Sequence, residues 1–168
     1  MDGFAGPGAT TIGLEFVPED RSWIKAECDG APVEQRLEDH MSAENVETVR
    51  TAYEAFMRGD LGGVADYFAD DVEWETPDSL PSGGLVSGRD AVIQNFSEIP
   101  SYWSSFSVEP QEYIDAGEHV VVTGVQRATG PGGSFESRYL HLFKLSGGKV
   151  VRGEFISDTA KARDALGS

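Results

Sequence analysis

The segment NVETVRTAYEAFMRGDLGGVADYFADDVEWET, residues 45–76, carries the strongest pattern in the chain. Apolar side chains in its first half recur at spacings of three and four residues, which predicts one buried face of a helix. The residues of this face are Val46, Val49, Tyr53, Phe56 and Met57. Ser42 is the expected N-cap of the helix, and Gly59 is expected to end it.

The second half of the segment predicts a short helix followed by a strand. Asp60 can cap a helix whose apolar side holds Leu61, Val64, Ala65 and Phe68. Val72, Trp74 and Thr76 then alternate with two glutamates, as in a half-buried strand.

The remainder of the chain is expected to contain one more helix before a series of long strands. Residues 77–88 hold two prolines and three glycines, which predicts a loop. A third helix follows and is stopped by Pro100. Strands are expected at 107–113, 120–125, 135–145 and 149–157, with a last short helix capped by Asp158. This order predicts an α+β fold with helices on one face of a curved sheet.

The first 41 residues differ from the rest, and we interpret them as an N-terminal extension to a domain over 42–168. Alternation at Ile12, Leu14 and Phe16, followed by a turn and residues 22–28, suggests a hairpin. Met41 could be the true initiator, with the preceding residues a loosely attached extension. The alternative is that the hairpin docks on the domain as an ordinary appendage.

The composition narrows the class of partner. Lys and Arg number 13 against 29 Asp and Glu, a formal charge of -16, which argues against nucleic acid or an anionic membrane as partner. No run approaches the ~18 apolar residues of a membrane span. The single cysteine, Cys28, cannot form an intrachain disulfide. A cytoplasmic protein is therefore expected.

Residues 45–76 resemble the opening of the SnoaL-like polyketide cyclases and ketosteroid isomerase relatives, in the nuclear transport factor two-like superfamily. The most characteristic pieces are AF-x-x-GDL from Ala55 and FADDV-x-W from Phe68. The later HLFKLSGGKVVRGEFISDTA resembles the closing hairpin of the family, so the likeness covers residues 42–166. It implies a cone-shaped, strongly curved mixed or antiparallel sheet packed on three N-terminal helices, the cystatin-like α+β roll. It also implies a pocket at the open end and a homodimer through the outer sheet face.

The isomerase constellation is changed in this chain. By resemblance, the base position falls on Thr76, the tyrosine position on Ala52 beside Tyr53, and the oxyanion aspartic acid on His141. The relatives that hydrolyse limonene epoxide need an Arg-x-Asp pair and a further Asp, and those positions hold Leu140 and Phe155. Neither established chemistry is therefore expected.

His141 is the leading catalytic candidate. Strand alternation places Tyr139, His141 and Phe143 on one face, which by resemblance looks into the pocket. An imidazole with an ordinary pKa near ~6.5 suits general acid or base work, or donation to a ligand oxygen. The alternative is a buried histidine that is hydrogen-bonded to a neighbour and has no catalytic part.

Asp78 is the second catalytic candidate, since it could swing over the pocket mouth, although an aspartate after a proline is also a common turn former. Aromatic and small polar side chains are expected to shape the pocket for a flat apolar ligand, unless they only fill the core. The predicted ligand-binding residues are Tyr53, Phe56, Trp74, Thr76, Phe96, Trp103, Tyr139, Phe143 and Phe155.

Two functions follow. The first is a small enzyme without cofactor or metal that carries out cyclisation, isomerisation or dehydration of an apolar, oxygen-bearing molecule such as a polyketide or terpenoid. His40, His119 and His141 form no ligand set at metal-binding spacings. The second is a noncatalytic dimeric module that binds a small molecule in the same pocket.

Overall fold

The computed structural model describes residues 33–167, with side chains from His40 onward. The predicted hairpin over residues 11–28 and Cys28 lie outside the described residues. No helix in the described part of the chain is both long and apolar enough to cross a membrane.

The described chain forms five helices and six strands. The helices are α1 (Val33–Met57), α2 (Leu61–Ala65), α3 (Arg89–Ser97), α4 (Ile99–Tyr102) and α5 (Thr159–Leu166). The strands are β1 (Phe68–Thr76), β2 (Gly84–Ser87), β3 (Ser105–Ala116), β4 (His119–Gly130), β5 (Gly133–Ser146) and β6 (Lys149–Ser157). The predicted α+β class is confirmed.

The strands form one curved, unclosed sheet in the order β2-β1-β6-β5-β4-β3. Neighbouring strands are antiparallel except β1 and β6, which run parallel, so the sheet is mixed. The parallel pair brings the first long strand back beside the last. Helix α3 packs on β1, while α5 packs on β4 and β5. The concave face of the sheet is thereby covered by helices, as the resemblance implied.

The first helix begins earlier than expected, at Val33, and runs through the predicted domain boundary at residue 42. Ser42 is therefore not its N-cap. No proline or glycine interrupts residues 33–57, so the backbone can continue as a helix upstream of Ser42. The Ser42 hydroxyl instead donates to Asp115, and Asn45 Nδ2 donates to the Gly117 carbonyl at 3.1 Å. Both polar side chains tie α1 to the β3–β4 turn.

Three further details differ from the prediction. Met57 is 51% exposed, whereas Val49 and Tyr53 on the predicted face are buried. The expected loop over 77–88 contains β2, which is four residues long and offers too little alternation to recognise. Pro100 does not end α3; it lies in the first turn of α4, where its missing N–H costs no helical hydrogen bond.

Both predicted aspartate caps are confirmed. Asp60 accepts a hydrogen bond from the Gly63 N–H at the start of α2, and Asp158 accepts one from the Lys161 N–H at the start of α5. Each carboxylate satisfies a backbone donor that has no partner within its helix. The caps fix where the chain turns from α1 into β1 and from β6 into the last helix.

Candidate active site

Strand β5 turns every second side chain toward the helices. Tyr139, His141, Phe143 and Leu145 are all buried, as the predicted alternation requires. Strands β4 and β6 flank β5, and their registers set Val122 and Phe155 on either side of His141. The imidazole therefore sits in the middle of the inner sheet face.

His141 is enclosed by aromatic rings and hydrogen-bonded to one of them. Its Nδ1 shares a hydrogen bond with the Tyr53 hydroxyl of α1, and His141 is 8% exposed. The ring centroids of Phe155, Tyr139 and Trp74 lie at 4.7, 4.9 and 5.5 Å from that of the imidazole. Burial among these rings lowers the pKa of His141 to about 3, because the charged imidazolium loses its hydration. His141 is therefore neutral at physiological pH.

The two neighbouring phenols are also protonated at neutral pH. The pKa of Tyr53 is raised well above its ordinary value, mainly by burial and secondly by the proximity of Tyr139. Burial raises the pKa of Tyr139 to about 12. The site thus holds neutral hydrogen-bonding groups and no ionised phenol.

Beside these groups lies a cavity of about 120 Å³ between the sheet and the helices. This volume is below the ~300 Å³ at which sites for drug-sized ligands begin, so a larger ligand would extend through the mouth. Of the predicted residues, those bordering the cavity are His141, Tyr53, Phe56, Trp74, Thr76, Phe96, Trp103, Phe143 and Phe155. None of the described residues that border it is an aspartate, glutamate, lysine or arginine.

Two predicted residues lie elsewhere. Asp78 is exposed, lies in the turn after Pro77 and does not border the cavity. Tyr139 is buried but does not border the cavity, and Gly124, its partner on β4, leaves room for its phenol. A Cβ on Gly124 would stand 2.8 Å from the Tyr139 oxygen. The Tyr139 hydroxyl is buried and makes no hydrogen bond in the described structure.

Several polar residues at the cavity were missed by the sequence interpretation. Gln126 of β4 is 2% exposed and donates from Nε2 to the Ser137 hydroxyl at 2.9 Å. Asn95 of α3 also borders the cavity and donates from Nδ2 to the Ser82 carbonyl at 3.5 Å. Ser157 borders the cavity with its hydroxyl buried and unpartnered. Alternation with the buried valines of β4 could have indicated that Gln126 points inward.

The arrangement suits the polarisation of a ligand oxygen within an apolar enclosure. A neutral imidazole can donate one hydrogen bond, and hydrogen bonds are electrostatically stronger in a water-poor site than in water. Among the residues with described side chains, no group of three His, Cys, Asp or Glu is placed to hold a metal ion. Thr76, which is 8% exposed at the end of β1, borders the cavity.

The SnoaL-like domain family matches residues 49–153, more than half of the chain. The chain belongs to this family. The matched range of this SnoaL-like protein runs from α1 to β6, so it includes both Tyr53 and His141.

Solved structures agree with this assignment. An NTF2-like protein of unknown function from Burkholderia pseudomallei is 35% identical, with a TM-score of 0.70, over 74% of this chain and 98% of that one. TerC, crystallised with polyporic acid, is 26% identical with a TM-score of 0.70, over 74% and 99%. IdmH, a proposed polyketide cyclase from Streptomyces antibioticus, shares the fold at 22% identity and a TM-score of 0.62, over 74% and 99%. A search of curated protein sequences finds no significant match.

Proposed function

We propose that this SnoaL-like protein is an enzyme that cyclises, isomerises or dehydrates an apolar, oxygen-bearing small molecule such as a polyketide, without a cofactor. The observation that carries the proposal is the placement of His141. Its neutral imidazole is hydrogen-bonded to Tyr53 and borders a largely apolar cavity. The membership of the SnoaL-like family and the likeness to IdmH support the same class of reaction.

In the proposed reaction, His141 donates a hydrogen bond to a carbonyl oxygen of the substrate. An adjacent C–H bond passes its proton to a solvent water molecule and its electron pair moves toward that oxygen, so negative charge develops there and the hydrogen bond from His141 strengthens. The enolate then takes a proton back at another position, or its carbon attacks a second carbonyl of the substrate, whose oxygen takes up the proton from the same water. Polyketides suit this chemistry, because a CH₂ group between two carbonyls is already acidic. A substrate of this kind needs less help from a strong base, which fits a cavity bordered by Thr76 rather than a carboxylate.

The test compares His141→Gln and His141→Ala with His119→Gln, since His119 lies at the start of β4 and does not border the cavity. Linear poly-β-ketone esters are incubated with each protein and followed by mass spectrometry. Cyclised or isomerised products keep the substrate mass, and dehydrated products lose one water. The His141 variants should lose about 10²- to 10³-fold in turnover, the usual effect of removing one such donor. The His119 control should keep wild-type turnover.

Binding is measured separately through tryptophan fluorescence, because Trp74 and Trp103 both border the cavity. An enzyme should lose much less affinity than turnover in His141→Gln. Equal losses of affinity and turnover would contradict the role given to His141.

A second candidate function is a noncatalytic binding module. The observation that favours it is the absence of any Asp, Glu, Lys or Arg among the described residues at the cavity. Because TerC was crystallised with polyporic acid, that compound is a suitable first probe. Tight binding of the probe by the wild type, with no turnover of any compound in the panel, would favour the module.

We also propose a homodimer through the outer face of the sheet. Leu140 and Leu142 on β5 are only half-buried there, and Ile156 on β6, paired with Leu140, is 48% exposed. These apolar side chains lie beside the Arg152 ion pairs to Glu73 and Glu75, which form on the same outward face. An apolar patch with a charged rim is typical of an interface between protein chains.

A further inference from the structure

We propose that Tyr53 is a positioning residue that holds His141 in the tautomer with its hydrogen on Nε2, so that the cavity selects neutral ligands with an acceptor oxygen and discriminates against carboxylates. This inference rests on the proposed function, because it concerns the ligand of the same site. It goes further by naming the residue that fixes the donor and the charge class that the cavity accepts.

The direction of the Tyr53–His141 hydrogen bond follows from what lies around it. A neutral imidazole carries one hydrogen, on either Nδ1 or Nε2. If Nδ1 carried it, Nδ1 would donate to Tyr53, and the Tyr53 hydrogen would need another acceptor. The Tyr139 hydroxyl is the other candidate acceptor, since its proximity, after burial, helps to raise the pKa of Tyr53. It meets no hydrogen-bonding geometry in the described structure, so Nδ1 is the acceptor that this geometry gives to the Tyr53 hydrogen. The arrangement that pairs both groups has the Tyr53 hydroxyl donating to Nδ1.

The remaining ring nitrogen, Nε2, then carries the hydrogen and is available to the cavity that His141 borders. A ligand at this nitrogen must supply an acceptor, such as a carbonyl or ether oxygen. The surrounding rings of Trp74, Phe143 and Phe155 carry no hydrogen-bond acceptor, and the indole N–H of Trp74 is a donor like Nε2 of His141. The described site therefore presents its N–H group within an aromatic wall.

The charges around the imidazole disfavour an anion. The titratable groups packed closest are Tyr53 of α1 and Tyr139 of β5, both protonated, with Tyr113 of β3 behind Tyr53. Burial is the main cause of the raised pKa of Tyr139, and the negative charge of Glu109 on β3 also raises it. The Arg50 guanidinium lies over the Tyr113 ring, 4.3 Å from its centroid, and does not border the cavity. A buried carboxylate would therefore lose its hydration without gaining a counter-charge.

Nitrogen NMR of the ligand-free chain tests the tautomer directly. The chain has three histidines, so His141 is assigned by comparing the wild type with His40→Gln and His119→Gln variants. At pH 7, Nδ1 of His141 should show the shift of an unprotonated nitrogen and Nε2 that of a protonated one. In Tyr53→Phe, which keeps the ring and removes the donor, the two shifts should move toward each other as the tautomers mix. Tyr113→Phe, the same change on a ring in edge contact with Tyr53, should leave them unchanged.

The ligand class is tested with acetophenone and benzoate, two probes of similar size that differ in charge. We expect the wild type to bind acetophenone at least about tenfold more tightly than benzoate at pH 7, because burying an unpaired charge is costly. Tyr53→Phe should weaken acetophenone binding by about fivefold, the usual effect of disturbing one hydrogen bond. Tyr113→Phe should bind it as the wild type does.

The proposal is overturned if Nδ1 is the protonated nitrogen in the wild type, if Tyr53→Phe leaves both shifts in place, or if benzoate binds as tightly as acetophenone. The wild-type spectrum alone can decide the tautomer, even if Tyr53→Phe folds poorly. A lack of turnover would defeat the enzymatic proposal but would leave the nitrogen shifts unaffected, so the two failures are distinguishable.

Discussion

His141 should make the fold less stable as the pH falls from 8 to 5. Burial lowers the pKa of its imidazole to about 3 in the folded chain, against an ordinary value of about 6.5 when the chain is unfolded. Between these two values the unfolded chain binds more protons at this site than the folded chain. Protonation therefore favours unfolding there, and the free energy of unfolding rises with pH across the same interval.

The magnitude follows from the two pKa values. At pH 5 the unfolded imidazole is almost fully protonated, while the folded one is still neutral, so the site removes about 2 kcal/mol of stability relative to pH 8. Each further decrease of one pH unit, down to the pKa of the folded state, lowers the free energy of unfolding by about 1.4 kcal/mol more. A loss of this size is a substantial share of the ~5–15 kcal/mol that stabilises a typical domain.

The assay is urea unfolding of the wild type and of His141→Gln at pH 8, 7, 6 and 5. The chain contains 29 Asp and Glu, whose titration also changes stability, but these groups and the other two histidines are common to both proteins. The difference between the two free energies of unfolding therefore isolates His141. The wild type should lose about 2 kcal/mol more than the variant between pH 8 and 5. Parallel curves would refute a buried, uncharged His141.

Three further predictions concern the contact of Gly153 with Trp74, the last helix and the outer sheet face. Gly153→Ala should destabilise the fold by about 1–3 kcal/mol, because a Cβ there would stand 2.3 Å from the Trp74 ring. In urea unfolding, the double variant with Trp74→Leu should recover part of that loss of stability. No recovery would argue against the clash. Asp158→Ala should lower the free energy of unfolding by about 1 kcal/mol, because it removes the N-cap of α5. Asp158→Asn, whose side-chain oxygen can still cap the helix, should unfold near the wild-type temperature. Equal melting temperatures for the two variants would contradict the capping role. Ile156→Glu should shift the sedimentation coefficient from that of a dimer to that of a monomer, with an unchanged circular dichroism spectrum. Identical sedimentation of the variant and the wild type would count against the outer-face interface.

Most of the fold could be predicted from local patterns. Strand β6 has the predicted bounds, and the Asp60 and Asp158 caps lie where the sequence placed them, because capping depends on residues only three positions apart. The start of α1 could not be predicted in this way. Ser42 is a good cap by type, but its hydroxyl is engaged by Asp115, 73 positions further along the chain.

The candidate site was predictable in part. Alternation along β5 placed His141 on one strand face with Tyr139 and Phe143, and the resemblance to the SnoaL-like family supplied the expectation that this face looks into a pocket. Tyr139 shows the limit of alternation: it shares the inner face with His141 but does not border the cavity. Whether an inward side chain reaches a void depends on its cross-strand neighbours, and here Gly124 lets the phenol lie against β4.

By itself, the sequence determined which face of each main helix and strand is apolar, where the capped helices begin, and that His141 shares a strand face with Tyr139 and Phe143. Those properties are local, since they arise from side-chain periodicity and from hydrogen bonds between near neighbours. Only the tertiary structure decided that Tyr53 meets His141, 88 positions away, that no charged side chain of the described chain borders the cavity, and that Asp78 stays outside it. Contacts of that kind depend on how α1 packs across the curved sheet and on the register of β4, β5 and β6, which side-chain periodicity within one element does not encode.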